Sequence, residues 1–394
     1  MRQLKPIARS LFVLAAFLVI QLLMIAPVQA NGPAGPSCSG ILLDSAPAIN
    51  QSKLRPQISV TRNSNEIPSL RLMTYNVENL FMHVGEFDRV GPNQLEQIHP
   101  EQVKSEKNLL GVAHAIKESN PDILVLQEVE GLETLIEFNN KYLKGQYHPI
   151  LLRGNDFRGI EIAFLVKKDL PLKVVAESHK DLQWQDPAEG NKTVPVFTRD
   201  LPALIFYRKN TDPARSSPLF VLLGNHGKSK RDRPGDPGSN YQRTEQYHQT
   251  SQVISDYLQR FGPNTPILLA GDFNTDVQSS PEVSMLRNQL QDVFDTTRSS
   301  QENRITHTYH PRQGDTVRAQ LDAVMVTPGF SGSILQAVTY RYKDADGQAL
   351  PIPQNHQERS ENPSDHFPIV VDFSTVQIFP EAHLDSLPRA AGGP

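Results

Sequence analysis

Apolar residues gather in short runs separated by polar, Pro- and Gly-marked breaks. Eight of these runs read as strands buried on at least one face: Leu70 to Tyr75, Ile123 to Gln127, Ile160 to Val166, Ala203 to Tyr207, Leu219 to Gly224, Ile267 to Ala270, Leu321 to Val326 and Phe367 to Phe373. Two stretches repeat with the helical period instead: Val103, Leu109, Leu110, Ala113 and Ile116 share one face, and Tyr247, Ile254, Leu258 and Phe261 share another. Strands outnumber helices. Two sheets packed face to face, with helices outside, would bury such strands and leave the helices half wet.

The pattern also marks the ends of the folded unit. Residues 1–30 read as an export signal, with Arg2, Lys5 and Arg9 as a basic start, an apolar stretch from Leu11 to Ala26 interrupted by Gln21, and Val28-Gln29-Ala30 as a small-residue cleavage site. The stretch is shorter than the roughly 20 residues of a spanning helix, which favours cleavage near Asn31 over a retained anchor, and a secreted or periplasmic location. Residues 31–68, rich in Pro, Ser, Asn and Gly, read as a flexible leader, and residues 375–394 as a similar tail. The ordered unit is then 69–374, with no internal repeat at a fixed period.

Composition narrows the chemistry. A chain of 394 residues suits one large or two ordinary domains. With 39 basic and 43 acidic residues the net charge is −4, and removal of residues 1–30 takes away three basic and no acidic residues, leaving −7. Such a chain is no polycation built to coat nucleic acid, so any phosphate-binding surface is local. The single cysteine, Cys38, excludes an internal disulfide framework and a zinc site of several thiolates. A metal would sit on oxygen and imidazole.

Such groups stand at the strand ends. The runs 72–78, 123–128, 221–226 and 268–274 pass from apolar residues into Asn76 and Glu78, Gln127 and Glu128, Asn225 and His226, and Asp272 and Asn274; Asp365 and His366 precede another run, and Asp322 lies inside a sixth. A single Asp or Asn after a strand is an ordinary turn former or cap. Six such runs together offer hard oxygen ligands in Glu78, Glu128 and Asp365, proton-transfer groups in His226 and His366, and groups that orient water and phosphate in Asp272, Asp322, Asn76 and Asn274.

In Tyr75-Asn76-Val77-Glu78, Leu126-Gln127-Glu128-Val129, Gly271-Asp272-Phe273-Asn274, Leu321-Asp322-Ala323 and Ser364-Asp365-His366-Phe367-Pro368 the sequence resembles the metal-dependent endonuclease/exonuclease/phosphatase superfamily. The motifs span about three hundred residues in the family's order, and Phe197 to Ala203 with Asn225 to Lys230 resemble its exported deoxyribonuclease-like branch. The resemblance implies an α/β fold, a four-layer α/β/β/α sandwich of two mostly antiparallel sheets with the active site at one edge. It implies a divalent ion, Mg2+ with Mn2+ or Ca2+ as alternatives, held by Glu78, Glu128 and Asp365 with Asn76 holding that shell in place. His366, oriented by Asp322, would face the scissile phosphate; Asp272 would position or deprotonate the attacking water; Asn274 would donate to a phosphoryl oxygen. His226 is the candidate acid for the leaving oxygen, with the division of acid and base between the two histidines left open. Glu161 lies nearest to the glutamate that orients this histidine in relatives, one residue out of register.

Substrate contacts are expected at Arg199, by the resemblance, and at Lys228, Lys230 and Arg231 in the densest basic loop, with Arg153, Arg158 and Arg243 extending the track. His307 and His310 have a metal-like spacing, but on a strand or hairpin they would not both face one ion, and they read as structural. Trp184 reads as packing.

Three functions follow from this reading. The first is an exported, metal-dependent nuclease acting on DNA or RNA with little sequence preference, monomeric and without stable membrane association after signal removal. The second is a sphingomyelin phosphodiesterase or inositol phosphate phosphatase, against which stands the absence of a membrane-inserting apolar segment in the ordered unit. The third, a non-catalytic binding module, would have lost carboxylates or histidines that this sequence retains.

Overall fold

A strand covered on both faces needs an unbroken apolar run, whereas one with a wet face alternates. The computed structural model describes residues 69–83, 85–86, 97–98, 102–156, 158–311 and 315–374. The expected export signal, leader, tail and Cys38 lie outside the described residues. The main elements in chain order are β1 (Ser69–Leu80), α1 (Glu106–Ser119), β2 (Ile123–Val129), α2 (Leu132–Leu143), β3 (Tyr147–Leu151), β4 (Glu161–Lys167), β5 (Leu172–Glu177), β6 (Ala203–Arg208), β7 (Phe220–His226), α3 (Asn240–Phe261), β8 (Ile267–Asp272), α4 (Ser284–Gln289), β9 (Gln291–Asp292), β10 (Asp322–Val326), β11 (Ile334–Thr339), α5 (His356–Ser360) and β12 (Ile369–Ser374).

These strands make two six-stranded sheets, ordered β11-β12-β1-β2-β4-β3 and β9-β10-β8-β7-β6-β5. Each sheet has one parallel pair, β1 with β2 and β7 with β8, and its other pairs are antiparallel. A parallel pair needs a crossover, and α1 and α3 lie in the two connections.

The period of two along each strand divides its residues between two cores. Leu70 and Leu72 of β1, Ile123 and Val125 of β2, Phe220 and Leu222 of β7, and Leu268 and Ala270 of β8 join one apolar cluster drawn from both sheets. Their neighbours Met73, Tyr75, Leu124 and Leu126 pack with Val112, Ile116, Leu135 and Phe138 of α1 and α2. On the other sheet Val221, Leu223, Ile267 and Leu269 pack with Tyr247, Ile254 and Leu286 of α3 and α4. Both faces of the central strands are therefore dry. The α/β class with two packed, mostly antiparallel sheets is as expected.

Gly224 lets the two sheets approach, because a Cβ there would lie 2.7 Å from Ile162 Cγ2 of β4. Gly271 has φ +152°, and its Cβ would overlap the backbone of Asn225 on the paired strand. Gly271→Ala is expected to destabilise the protein by about 3 kcal/mol or more, read as a lowered denaturant midpoint, because both backbone conformation and space forbid the methyl group.

Two details of the helical reading are corrected. Leu110 faces solvent while Val112 is buried, and Val103 precedes α1 and packs near Phe81 and Ile160. The strands β3, β5, β9 and β11 and the helix α2 were not expected. Trp184 lies in a short two-stranded ribbon, Gln183–Asp186 with Lys192–Pro195, and packs against the α3-side core as anticipated. No helix among the described residues is long and apolar enough to cross a membrane.

Candidate active site

The same alternation that fills the inter-sheet core carries polar groups to its edge. Continuing β1 by twos from Leu70 and Leu72 reaches Thr74 and Asn76; β7 runs from Phe220 and Leu222 through Gly224 to His226; β8 runs from Leu268 and Ala270 to Asp272. In β10, antiparallel to β8, Asp322 is directly opposite Asp272. The carboxyl ends of both parallel pairs and the starts of β10 and β12 thus meet at one edge. Strict alternation keeps Glu78 on the same face as Asn76 but would turn Glu128 towards the helices with Leu124 and Leu126. Both have positive φ, +50° and +66°, and both fall where the β1–β2 or β2–β4 register shifts, and the bulge at Glu128 re-aims it.

Asn76 ties the sheets together at this edge. Its Nδ2 donates to Asp272 Oδ2 at 3.0 Å and to Glu128 Oε1 at 3.4 Å, and its Oδ1 accepts from Glu78 N at 3.0 Å. Asp272 also accepts from the Asn274 backbone N–H at 2.6 Å and from Asn274 Nδ2 at 3.1 Å. His366 Nδ1 lies 2.7 Å from Asp322 Oδ2, and its Nε2 is 3.9 Å from both Asp272 Oδ2 and Asp365 Oδ1. Ser364 Oγ donates to the Asn76 carbonyl at 2.8 Å and accepts from His366 N, fixing the turn into β12. His226 Nε2 is 3.6 Å from Asp272 Oδ2 and 3.9 Å from Glu128 Oε1. All five expected catalytic residues, His226, Asp272, Asn274, Asp322 and His366, belong to one cluster.

The two histidines sit in opposite fields. Burial opposes charge on His366, but Asp322, Asp272 and Asp365 outweigh it and hold its pKa well above the ordinary value. Burial, then the charges of Arg199 and His366, push His226 well below it. Asp272 is pushed up to about 7, first by burial and then by Asp322, with His366 pulling the other way. His226 Nδ1 is buried and has no hydrogen-bond partner, so Glu161 does not orient it; Glu161 accepts instead from Gly154 N at 2.9 Å.

The four expected metal residues are on the same edge, with a cationic side chain among them that was not foreseen. Arg359 of α5 pairs with Glu78 Oε1 and lies 3.3 Å from Asp365 Oδ2. Desolvation alone would raise the Asp365 carboxyl, but His366, His307 and Arg359 hold it well below the usual carboxylate range. Lys104 Nζ donates to the Glu78 carbonyl at 2.9 Å. Burial raises the Glu78 carboxyl and the adjacent Asp365 raises it further. Glu78 and Asp365 share one positive charge and Glu128 is reached through Asn76, so the donors are oxygens of the kind a hard divalent ion takes. Among the described residues the groups whose ligand atoms all lie within 4.8 Å of one another are Asp272, Asp322 and His366, and His307, Asp365 and His366; Glu78 and Glu128 are in neither. His307, read as structural, therefore belongs to the site. His310 does not; its Nδ1 bonds Thr316 Oγ1.

The basic residues divide. Lys230 and Arg231 are exposed, and Lys228 is half-buried, its pKa lowered by burial and by Arg199. Arg199, the expected phosphate contact, is a buried cation: it is 4% exposed, 3.4 Å from Asp156, and donates to the Gly227 carbonyl. Arg243 is likewise removed from the track, being fully buried and paired with Glu282. Arg158 bonds Asp156, and Arg153 is exposed. Arg233 holds the loop's base through Asp186 and Asp236.

The sequence pattern of the Endonuclease/Exonuclease/phosphatase family matches residues 73–366, from within β1 to the histidine before β12. The chain belongs to this family. The family's chemistry, hydrolysis of phosphate esters, is the coarse function of the cluster. Solved structures similar to the chain include TDP2 from Caenorhabditis elegans, at 17% identity over 78% of this chain and 74% of that one with a TM-score of 0.49. D. rerio TDP2 complexed with single-strand DNA product is 15% identical, over 77% and 98%, at 0.49. A mannosyl-6-phosphatase from Bacteroides thetaiotaomicron is 16% identical, over 77% and 98%, at 0.45. No curated protein matches the chain in sequence.

Proposed function

We propose that the protein is an exported, divalent-metal-dependent phosphodiesterase that cuts nucleic acid, DNA ahead of RNA, with little sequence preference. The observation that carries this reading is Asp272 between two histidines of opposite electrostatic setting, on an edge whose neighbouring loop exposes Lys230 and Arg231.

A phosphodiester resists attack because its charge repels the nucleophile and its alkoxide leaves poorly. Glu78, Glu128 and Asp365, with Asn76 steadying them, would hold a divalent ion, which would supply charge neutralisation at the phosphoryl oxygens. Asp272, with a carboxyl poised near neutral pH, accepts the proton of the attacking water. Asn76 and Asn274 donate to that carboxylate and fix its direction. His366, kept cationic by its carboxylate neighbours, donates a charged hydrogen bond to a phosphoryl oxygen. His226, neutral and with one ring nitrogen unpartnered, is available to relay a proton to the leaving oxygen. Lys230 and Arg231 neutralise backbone phosphates without reading bases. Tyr309, exposed and two residues along the strand from His307, offers a ring on which a base can stack.

The test is a substrate panel of plasmid DNA, RNA, sphingomyelin and inositol phosphates, each with Mg2+, Mn2+, Ca2+ or EDTA. Plasmid nicking that needs the ion is expected; lipid or inositol phosphate turnover without cleavage of nucleic acid overturns the reading. Changing Lys230 and Arg231 together to Gln is expected to weaken DNA binding and to flatten the slope of log K against log salt by about 2. An unchanged slope removes the loop from the substrate path.

A further inference from the structure

We propose that His307, Asp365 and His366 form a second cation site, sharing Asp365 with the oxygen set of Glu78 and Glu128, that takes a Zn2+-class ion. His307 Nε2 lies 3.6 Å from Asp365 Oδ2, and His366 Nε2 lies 3.9 Å from Asp365 Oδ1. The imidazole rings are 4.6 Å apart between centroids, so one ion can reach both nitrogens and the carboxylate between them. The backbone fixes this approach: His307 and His366 face each other as an antiparallel bridge, and Phe367 N donates to the Thr306 carbonyl at 2.7 Å.

The donor set decides the ion. Two imidazoles and one carboxylate suit Zn2+ and its borderline neighbours, whereas Mg2+ and Ca2+ prefer oxygen throughout. Asp322 already bonds His366 Nδ1 at 2.7 Å, which presents Nε2 outward in the carboxylate–histidine–metal arrangement. Three protein ligands leave a fourth tetrahedral position for water or a phosphate oxygen. Arg359, 3.3 Å from Asp365, competes for the carboxylate but not for the imidazoles. An ion here withholds His366 Nε2 from substrate, so Zn2+ inhibits turnover; this consequence, unlike the binding, rests on the phosphodiesterase reading.

Co2+ serves as the optical probe. Metal-free protein titrated with Co2+ is expected to gain the strong visible bands of a tetrahedral, nitrogen-ligated ion, abolished by Zn2+. His307→Ala and His307→Gln are expected to lose the bands and to weaken Zn2+ binding by calorimetry about tenfold or more. In the unsubstituted protein the Nε2 resonances of both His307 and His366 are expected to move on Zn2+ addition, a readout that needs no folded variant. Unmoved resonances, or bands that survive in His307→Ala, overturn the site. A protein that cleaves no phosphodiester yet shows the Co2+ bands would sink the function and leave the site standing.

Discussion

His366→Ala is expected to lower Mg2+-supported DNA cleavage by about a thousandfold, the upper end of what removing one preorganised donor to the developing phosphoryl charge costs. The loss should appear in kcat, with DNA affinity changed little, since the phosphate contacts proposed above are on Lys230 and Arg231. The same substitution takes away the partner of Asp322, whose carboxylate is buried, so a stability loss of about 3–5 kcal/mol accompanies it. Adding Asp322→Asn removes the stranded charge and should return much of that stability, but none of the activity. A double variant that regains cleavage would show that His366 acts only as a structural partner of Asp322.

Asp272→Asn separates function from stability in another way. Activity is expected to fall by about a hundredfold to ten-thousandfold with loss of the proton acceptor. In metal-free protein the folded state keeps the Asp272 proton up to about pH 7, whereas an ordinary aspartate gives it up at 3.8. Between these values the folded state binds more protons than the unfolded one, so this group makes stability fall as pH rises across that window. The variant lacks the slope. In EDTA, its stability relative to the unsubstituted protein should therefore improve from pH 4 to pH 8, by an amount on the order of a few kcal/mol. A constant difference would mean that Asp272 ionises normally in the folded protein.

How far the sequence reveals this molecule depends on where each residue lies in the sheets. The central strands carry unbroken apolar runs because both faces are covered, and all were legible. The four strands that were not, β3, β5, β9 and β11, are the edge strands of their sheets. β5 alternates buried and half-buried residues, β3 carries Pro149, and β9 is two residues long. Such strands lack the run that marks the interior. Helix α2 was hidden by its mixture of Leu, Phe and Tyr with Glu and Asn, although its buried face follows the helical period.

The site divides along similar lines. Asn76, His226, Asp272 and Asp322 continue the inward face of legible strands, so strand parity places them at one edge. Glu78 continues the same parity, whereas Glu128 was recognised by motif, since parity alone gives no warning of the bulge that re-aims it. Arg359 sits on a short helix just before the Ser364 to Pro368 motif but belongs to no motif itself, and it reaches Glu78 only through the tertiary fold. The spacing of His307 and His310 drew attention to the right segment, but its partner is His366, 59 positions along the chain, so no local signal could pair them.

The second sheet is built from one continuous stretch, β5 to β10, whereas the first needs β1 to β4 from early in the chain and β11 and β12 from late in it. β12 slots between β11 and β1, and His366 arrives just ahead of it. A nascent chain on the ribosome therefore carries Asn76, Glu128 and Asp272 long before it carries the imidazole they work with. Hydrolytic competence is acquired in a single late step, when the final strand closes the first sheet.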